Sequence, residues 1–358
     1  GLDEEERFRE GEQPVYDGGG VGGDYERVVL TEDEAAAYND STSFFGDVRL
    51  LHDVHAPATR GHAGRRAPFA PLLIDVTHID APYAYRMQKA GESESNFALR
   101  MANQLDAEIR RLGPETVMAF VAEPVVGASL GTQTAPKGYF ARIREICDEH
   151  GVLYIADEVM CGMGRTGTLF ALEQEGIAAD ITTAAKGLGA GYQPIAALVA
   201  AQKVVDAIKN GSGKLWNGHT YMSHAIATAG ALAVQQVIEN DHLLDRVKAL
   251  GAQLEERLGS AFGQHSHVGD IRGRGLFWTI ELVADRATKA PFPAVQELAM
   301  KIGAAAKARG ILVYPSQGCA DGTNGDHVLL APSYTSTPQE IDLIVETLQA
   351  AVADVLEA

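Results

Sequence analysis

Apolar residues return at steps of three and four through residues 93–112, with Phe97, Met101, Leu105, Ile109 and Leu112 on one face. That spacing predicts an amphipathic helix packed on a core. Ser93 stands before it as an N-cap, and Gly113-Pro114 ends it. The next apolar block, Val117-Met118-Ala119-Phe120-Val121-Ala122, is continuous and short, as expected of a strand buried on both faces. The alternation then repeats. A helix is predicted over 139–150 with Gly151 as its stop, then strands over 152–156, 178–184 and 195–200. Two long helices follow, over 223–239 and 242–258. A strand over 275–283, a helix over 295–309, a strand over 328–331 and a final helix to Glu357 complete the pattern. Thr337 with Glu340 three residues on forms a capping box at the start of that last helix. Strands alternating with helices imply an α/β fold, a mostly parallel sheet covered on both faces. The shift in texture near Ala249 predicts a smaller α+β unit over 249–358, after a large unit over 61–248.

Residues 1–60 are different in kind. They show no clear periodicity, and they carry a net −10 of the chain's −18. The run Gly18-Gly19-Gly20-Val21-Gly22-Gly23 reads as a flexible linker rather than a phosphate loop, since no strand precedes it and no helix follows. The acidic balance, with 30 Lys and Arg against 48 Asp and Glu, argues against nucleic acid as a partner. No apolar run approaches the roughly 18–20 residues of a membrane span. Three cysteines and no CxxC pair fit a reducing, cytoplasmic setting.

Two strand ends carry chemistry, and the carboxyl ends of parallel strands are where such sheets bind ligands. One delivers Asp157 after Tyr154-Ile155-Ala156; alone, such an acid is as readily a helix cap or half of an ion pair. The other delivers Lys186 at the end of the uncharged stretch Ile181–Ala185, before Gly187-Leu188-Gly189-Ala190-Gly191. A lysine in an apolar setting becomes a usable amine nucleophile, and glycines beside it let a flat ligand approach. The pair says more than either member. A lysine for a Schiff base and an acid for a ring nitrogen are what pyridoxal 5′-phosphate (PLP) requires.

The segments Asp157–Gly167 and Ala185–Pro194 closely resemble the class III PLP-dependent aminotransferases, the ornithine, ω-amino-acid and 4-aminobutyrate type. Glu123–Gly127, Asn217–Tyr221 and Val268–Leu276 are similar to the same family, in the same order, from about Gly61 to the C-terminus. The resemblance implies fold type I and a role for each matching position. Lys186 attaches the cofactor and Asp157 pairs with its pyridine nitrogen. Val159 packs on the ring face, where a plain core valine is an equally natural reading. Thr220 serves the phosphate of the neighbouring subunit's cofactor, which implies a homodimer with sites at the interface. Glu123 lies near the active face, or is a strand-end ion pair. Arg165 anchors a loop.

The family's phosphate cup, a Ser-Gly-Ser/Thr-Glu-Ala type of turn, and its ring-stacking aromatic have no counterpart; Phe44-Phe45-Gly46 is only a faint echo. A fragment with an unrelated or mistranslated head is favoured over a half-enzyme completed by another chain and over a degenerate relative, because the later motifs, Lys186 and Asp157 among them, remain intact. The stretch from Tyr314 to Tyr334 holds no arginine to clamp a substrate carboxylate, offering Gln317, Asn324, Asp326 and His327 instead. Tyr192 and Trp216 either line the substrate pocket or pack; His219 and His327 are weak candidates for proton carriers. The expectation is an aminotransferase moving an amino group from an amine or amino acid to a keto acid or aldehyde. A PLP-dependent racemase, epimerase or lyase on the same scaffold, and a non-catalytic homologue, are the alternatives.

Overall fold

The computed structural model describes residues 76–357, apart from Asn217 and His219, together with the backbone of two earlier strands. In chain order the elements are β1 (Val28–Thr31), β2 (Arg49–Asp53), β3 (Val76–Ile79), α1 (Glu94–Leu112), β4 (Val117–Ala122), the short pair β5 (Val125–Val126) and β6 (Gln133–Thr134), α2 (Tyr139–His150), β7 (Leu153–Asp157), β8 (Ile181–Ala184), β9 (Ala197–Ala200), α3 (Gln202–Asn210) and α4 (Ala225–Asn240). After these come α5 (Leu243–Phe262), β10 (Val268–Arg274), β11 (Phe277–Leu282), α6 (Leu298–Ala308), β12 (Tyr314–Gln317), β13 (Asp326–Leu330) and α7 (Pro338–Leu356).

A seven-stranded sheet has the order β1-β9-β8-β7-β4-β2-β3. From β8 through β7, β4 and β2 to β3 every neighbouring pair is parallel. β9 returns antiparallel beside β8, and β1 pairs antiparallel with β9. Phe97, Met101, Leu105 and Ile109 of α1 meet Phe140, Ile143 and Ile146 of α2 over Phe120 of β4 and Tyr154 of β7, forming one core. The Phe140 and Tyr154 rings stack at 6.2 Å between centroids. A four-stranded antiparallel sheet, β10-β11-β13-β12, builds a second core. There Leu254, Leu258 and Phe262 of α5, Ile302 of α6 and Val345 and Leu348 of α7 cover Trp278, Ile280, Val328 and Leu330. α5 runs unbroken through residues 248 and 249, and its Val247 already belongs to this second core.

Several expectations change. Two stretches within residues 1–60 supply strands to the main sheet despite their lack of periodicity. Gly18–Gly23, Phe44–Gly46 and Gly61–Arg66 lie outside the described residues. The helix expected from Val295 starts at Leu298, because Glu297 takes a left-handed φ of 50° that interrupts the ladder. Among the described residues no helix is long and apolar enough to cross a membrane.

A buried polar cluster joins the two sheets' surroundings. Glu281 of β11 is fully buried and accepts from the Tyr83 hydroxyl, from Arg86 Nε at 2.8 Å and from Arg272 at 2.6 Å. Arg272 of β10 also donates to the carbonyls of Gly131, at 2.7 Å, and Leu130. Burial opposes ionisation of Glu281, but the Arg272 and Arg86 guanidiniums hold its carboxyl below the usual range.

Candidate active site

The carboxyl ends of β7 and β8 lie side by side, with Asp157 the register partner of Thr183. Asp157 Oδ1 accepts from the Val159 amide at 3.0 Å and from the Thr183 hydroxyl at 3.4 Å. Its other oxygen takes no hydrogen bond from the described residues. The Glu158 amide donates to the Thr183 carbonyl at 3.0 Å, so the two strand ends stay joined one residue beyond the ladder. Three residues past Thr183, Lys186 opens a single 3₁₀ turn with a left-handed φ of 44°. Its carbonyl accepts from Gly189 at 3.2 Å and Ala190 at 2.9 Å, which tightens the loop that turns back into β9. Lys186 is exposed rather than set in an apolar pocket of this chain. It has no ion-pair partner among the described residues.

The glycines beside Lys186 serve packing within the protein. A Cβ on Gly187 would stand 2.8 Å from Met163 Cβ, and one on Gly189 would stand 2.6 Å from the Gln193 carbonyl oxygen. Within the protein, the close approach they permit is between the Lys186 loop and its own neighbours.

The segment after Asp157 is anchored by charge. Glu158, fully buried, accepts from the Ala171 and Leu172 amides at 2.9 and 2.8 Å and from the Cys161 thiol at 3.2 Å. Burial pushes its carboxyl up, offset in part by those amides. The Arg165 guanidinium donates to the carbonyls of Leu276 at 3.0 Å and Pro332 at 2.6 Å, under the Tyr334 ring. This is the loop anchor expected of it, made through carbonyls, and burial lowers its pKa. Val159 is half-buried. Glu123, also half-buried, follows β4 and closes its own turn by accepting from the Gly127 amide at 2.9 Å. Thr220 sits exposed in the turn before α4; His219 lies outside the described residues.

The polar residues of the stretch from Tyr314 to Tyr334 are engaged within the protein. Gln317 donates to the Ala294 carbonyl, and Asn324 bonds Asp321 and the Ala294 amide. Asp326 accepts from the Ala299 amide in the first turn of α6. His327 is fully buried, its Nε2 3.2 Å from the Ala128 carbonyl oxygen. Tyr192 and Trp216 pack on neither core: they are 79% and 68% exposed. α4 lies along the Lys186 loop, with Gln235 donating to the Leu188 carbonyl at 3.2 Å. Thr183 and Glu158 escaped the sequence reading. Only the parallel register, which sets Thr183 opposite Asp157, singles Thr183 out from Thr182 beside it.

Residues 43–352 match the family model described as aminotransferase class-III. An uncharacterised aminotransferase of Schizosaccharomyces pombe is 43% identical over 302 residues, which is 83% of this chain and 65% of that protein. Vanillin aminotransferase of Capsicum frutescens is 36% identical over 282 residues, 78% of this chain and 59% of that protein. The chain thus spans about two thirds or less of these relatives' lengths. Among solved structures, the ω-transaminase of Pseudomonas jessenii in complex with PMP superposes with a TM-score of 0.81 at 32% identity, covering 92% of this chain and 75% of that one. A PLP-bound amine transaminase from an uncultivated Pseudomonas species gives 0.81 at 32% identity, covering 92% and 77%.

Proposed function

The chain belongs to the class III aminotransferases, and on that premise we propose that it moves an amino group from an amine or amino acid to a keto acid or aldehyde, with PLP held on Lys186. The observation that carries this reading is the arrangement at the ends of β7 and β8: a carboxylate with one oxygen tied down and the other without a partner among the described residues, on the strand beside the one that leads to Lys186. Those residues fit the cofactor. An acid so held suits a protonated ring nitrogen, and an amine with no ion-pair partner suits a carbonyl. Bound PLP supplies an aldehyde that condenses with amines and a ring that accepts electrons. Asp157 holds the positive charge at the ring nitrogen. Val159 would pack on the ring face, and Glu123 would help position substrate near it. Lys186 Nζ, freed when an amine takes its place, would carry the α-proton to the cofactor side of the imine nitrogen instead of back to the substrate carbon, which distinguishes transfer from racemisation. Thr220 would donate to the phosphate of the partner's cofactor.

A homodimer follows from the same reading. Tyr192, Trp216, Tyr221 and Ile226 are each about two thirds exposed or more, around the Lys186 loop and the start of α4. Aromatic and aliphatic side chains so concentrated mark a protein interface. The small unit is proposed to begin at the turn before α5, whose side chains belong to the second core. Three free, buried cysteines support a reducing, cytoplasmic setting.

The test is borohydride reduction of PLP-saturated protein followed by mass spectrometry. A phosphopyridoxyl adduct is expected on Lys186 and is lost in Lys186→Ala. With an amine donor alone, the cofactor converts to its pyridoxamine form. A saturated chain with no adduct on Lys186 overturns the reading; retained PLP absorbance after donor addition favours a racemase or lyase.

A further inference from the structure

We propose that Thr183 is a positioning residue, its buried hydroxyl aiming the Asp157 carboxylate at the cofactor's ring nitrogen. The inference rests on the PLP reading above and adds a residue to it.

Thr183 is 7% exposed, near the end of β8. A buried hydroxyl without a partner is costly, and a strand interior is better filled by valine, its near-isostere. Here the hydroxyl's hydrogen-bond partner is Asp157 Oδ1, across the parallel register. The Val159 amide donates to the same oxygen from the other side of the chain's turn. A carboxylate rotates readily about its last torsion. Two donors converging on one oxygen, from two different strand ends, remove that rotation and decide which oxygen is left for a ligand. The Thr183 contact is long, at 3.4 Å, as such bonds often are before a ligand is bound, and it is expected to shorten when the second oxygen takes up a charged partner. The backbone of the same residue fixes the strand ends, through its carbonyl and the Glu158 amide. Thr183 therefore sets both the orientation of Asp157 and the spacing from which the chain continues to Lys186.

The experiment measures PLP dissociation constants by absorbance titration for wild type, Thr183→Val, Thr183→Ser and Asp157→Asn, and for Thr183→Val combined with Asp157→Asn. Thr183→Val is expected to weaken PLP binding about threefold to tenfold, and Thr183→Ser to restore it to within about twofold, since only the hydroxyl matters. On the Asp157→Asn background, Thr183→Val should add no further loss, because residues acting through one another are not additive. Thr183→Ala substitutes if the valine variant does not fold. Binding by the hydroxyl-free variant within about twofold of wild type overturns the inference, as does an equal loss on both backgrounds, which marks a structural role. A wild-type chain that takes up no PLP overturns the functional reading itself, and the inference with it.

Discussion

Lys186 is held where an L-residue is least comfortable. Its φ of 44° places the Cβ against the following carbonyl, a cost of about 1–2 kcal/mol that glycine escapes. Strain of this kind survives where the side chain is needed. Two substitutions separate the side chain's role from the backbone's. Lys186→Gly and Lys186→Ala both remove the amine, so neither gives the borohydride adduct. In urea unfolding, however, the glycine variant is expected to exceed the alanine variant, by up to about 1 kcal/mol once glycine's extra unfolded-state entropy is counted. Equal stabilities would show that the turn carries no such strain. The surrounding residues were only partly legible beforehand. Asp157 and Lys186 stand out in the sequence because each is a charge ending an apolar run. Thr183 does not, since its meaning comes from the strand opposite it. Gly187 and Gly189 are visible in the sequence, but not the neighbours they make room for within the protein: Met163 for the first, and the Gln193 carbonyl of the same loop for the second.

Elements whose signals are local formed as read. The Asn96 amide reaches the Ser93 hydroxyl at 3.2 Å, and Thr337 and Glu340 cap one another reciprocally. α2 keeps the bounds expected of it, ending at Gly151 in the left-handed conformation. What the local pattern missed depends on partners. β12 includes Pro315 and alternates poorly, yet it is an edge strand, where a missing amide costs least. The direction of β9 is set by the short return after Lys186, about which its own residues say nothing. The close stacking of α5 on the turn after β10 was equally hidden: a Cβ on Gly251 would stand 2.5 Å from the Gly275 carbonyl oxygen. One contact between elements has a pH signature. Asp106 of α1 meets Arg110 on its own helix and His150 at the end of α2, at 2.7 Å. Arg110 and then His150 hold its carboxyl at about 2. A carboxyl lowered by folding stabilises the native state above its unfolded pKa, near 3.8, and that contribution fades as pH falls towards 2. Asp106→Asn is expected to lower stability by about 1 kcal/mol at pH 7, after allowing for solvent screening of a partly exposed group. It should also flatten the acid limb between about pH 4 and pH 2. A variant whose melting temperature keeps the wild-type slope across that window would show that the contact carries no such linkage.

At the scale of the molecule, the two cores meet through polar groups and through a small apolar cluster, Val125, Cys161 and Ala171 against Phe277 and Leu329, while other apolar groups are left outside. The Glu281–Arg272–Arg86–Tyr83 cluster and Arg165 bind the surroundings of the two sheets by charge and by carbonyls. Such groups are fully engaged and offer nothing to a partner. By contrast, Tyr192, in the loop after Lys186, and Leu215, Trp216, Tyr221 and Ile226, in the first turn of α4 and the residues before it, meet solvent. Exposing them costs hydrophobic free energy that association recovers, at about 25 cal/mol for each Å² of apolar surface covered. They also bracket Thr220, the residue the proposed mechanism assigns to the partner's cofactor. Association and cofactor retention are therefore expected to fail together. Ile226 heads α4, and a charge there would be buried unpaired in any interface that covers it, a cost of several kcal/mol. Sedimentation should show wild type at twice the chain mass and Ile226→Glu at the mass of one chain. Far-ultraviolet circular dichroism should be unchanged, because the side chain packs on neither core. The charged variant should also lose PLP on gel filtration, whereas Leu343→Glu on α7, exposed but remote in sequence from the Lys186 loop, should keep both mass and cofactor. A wild-type monomer, or an Ile226→Glu protein that remains dimeric, would place the interface elsewhere and remove Thr220 from the phosphate role.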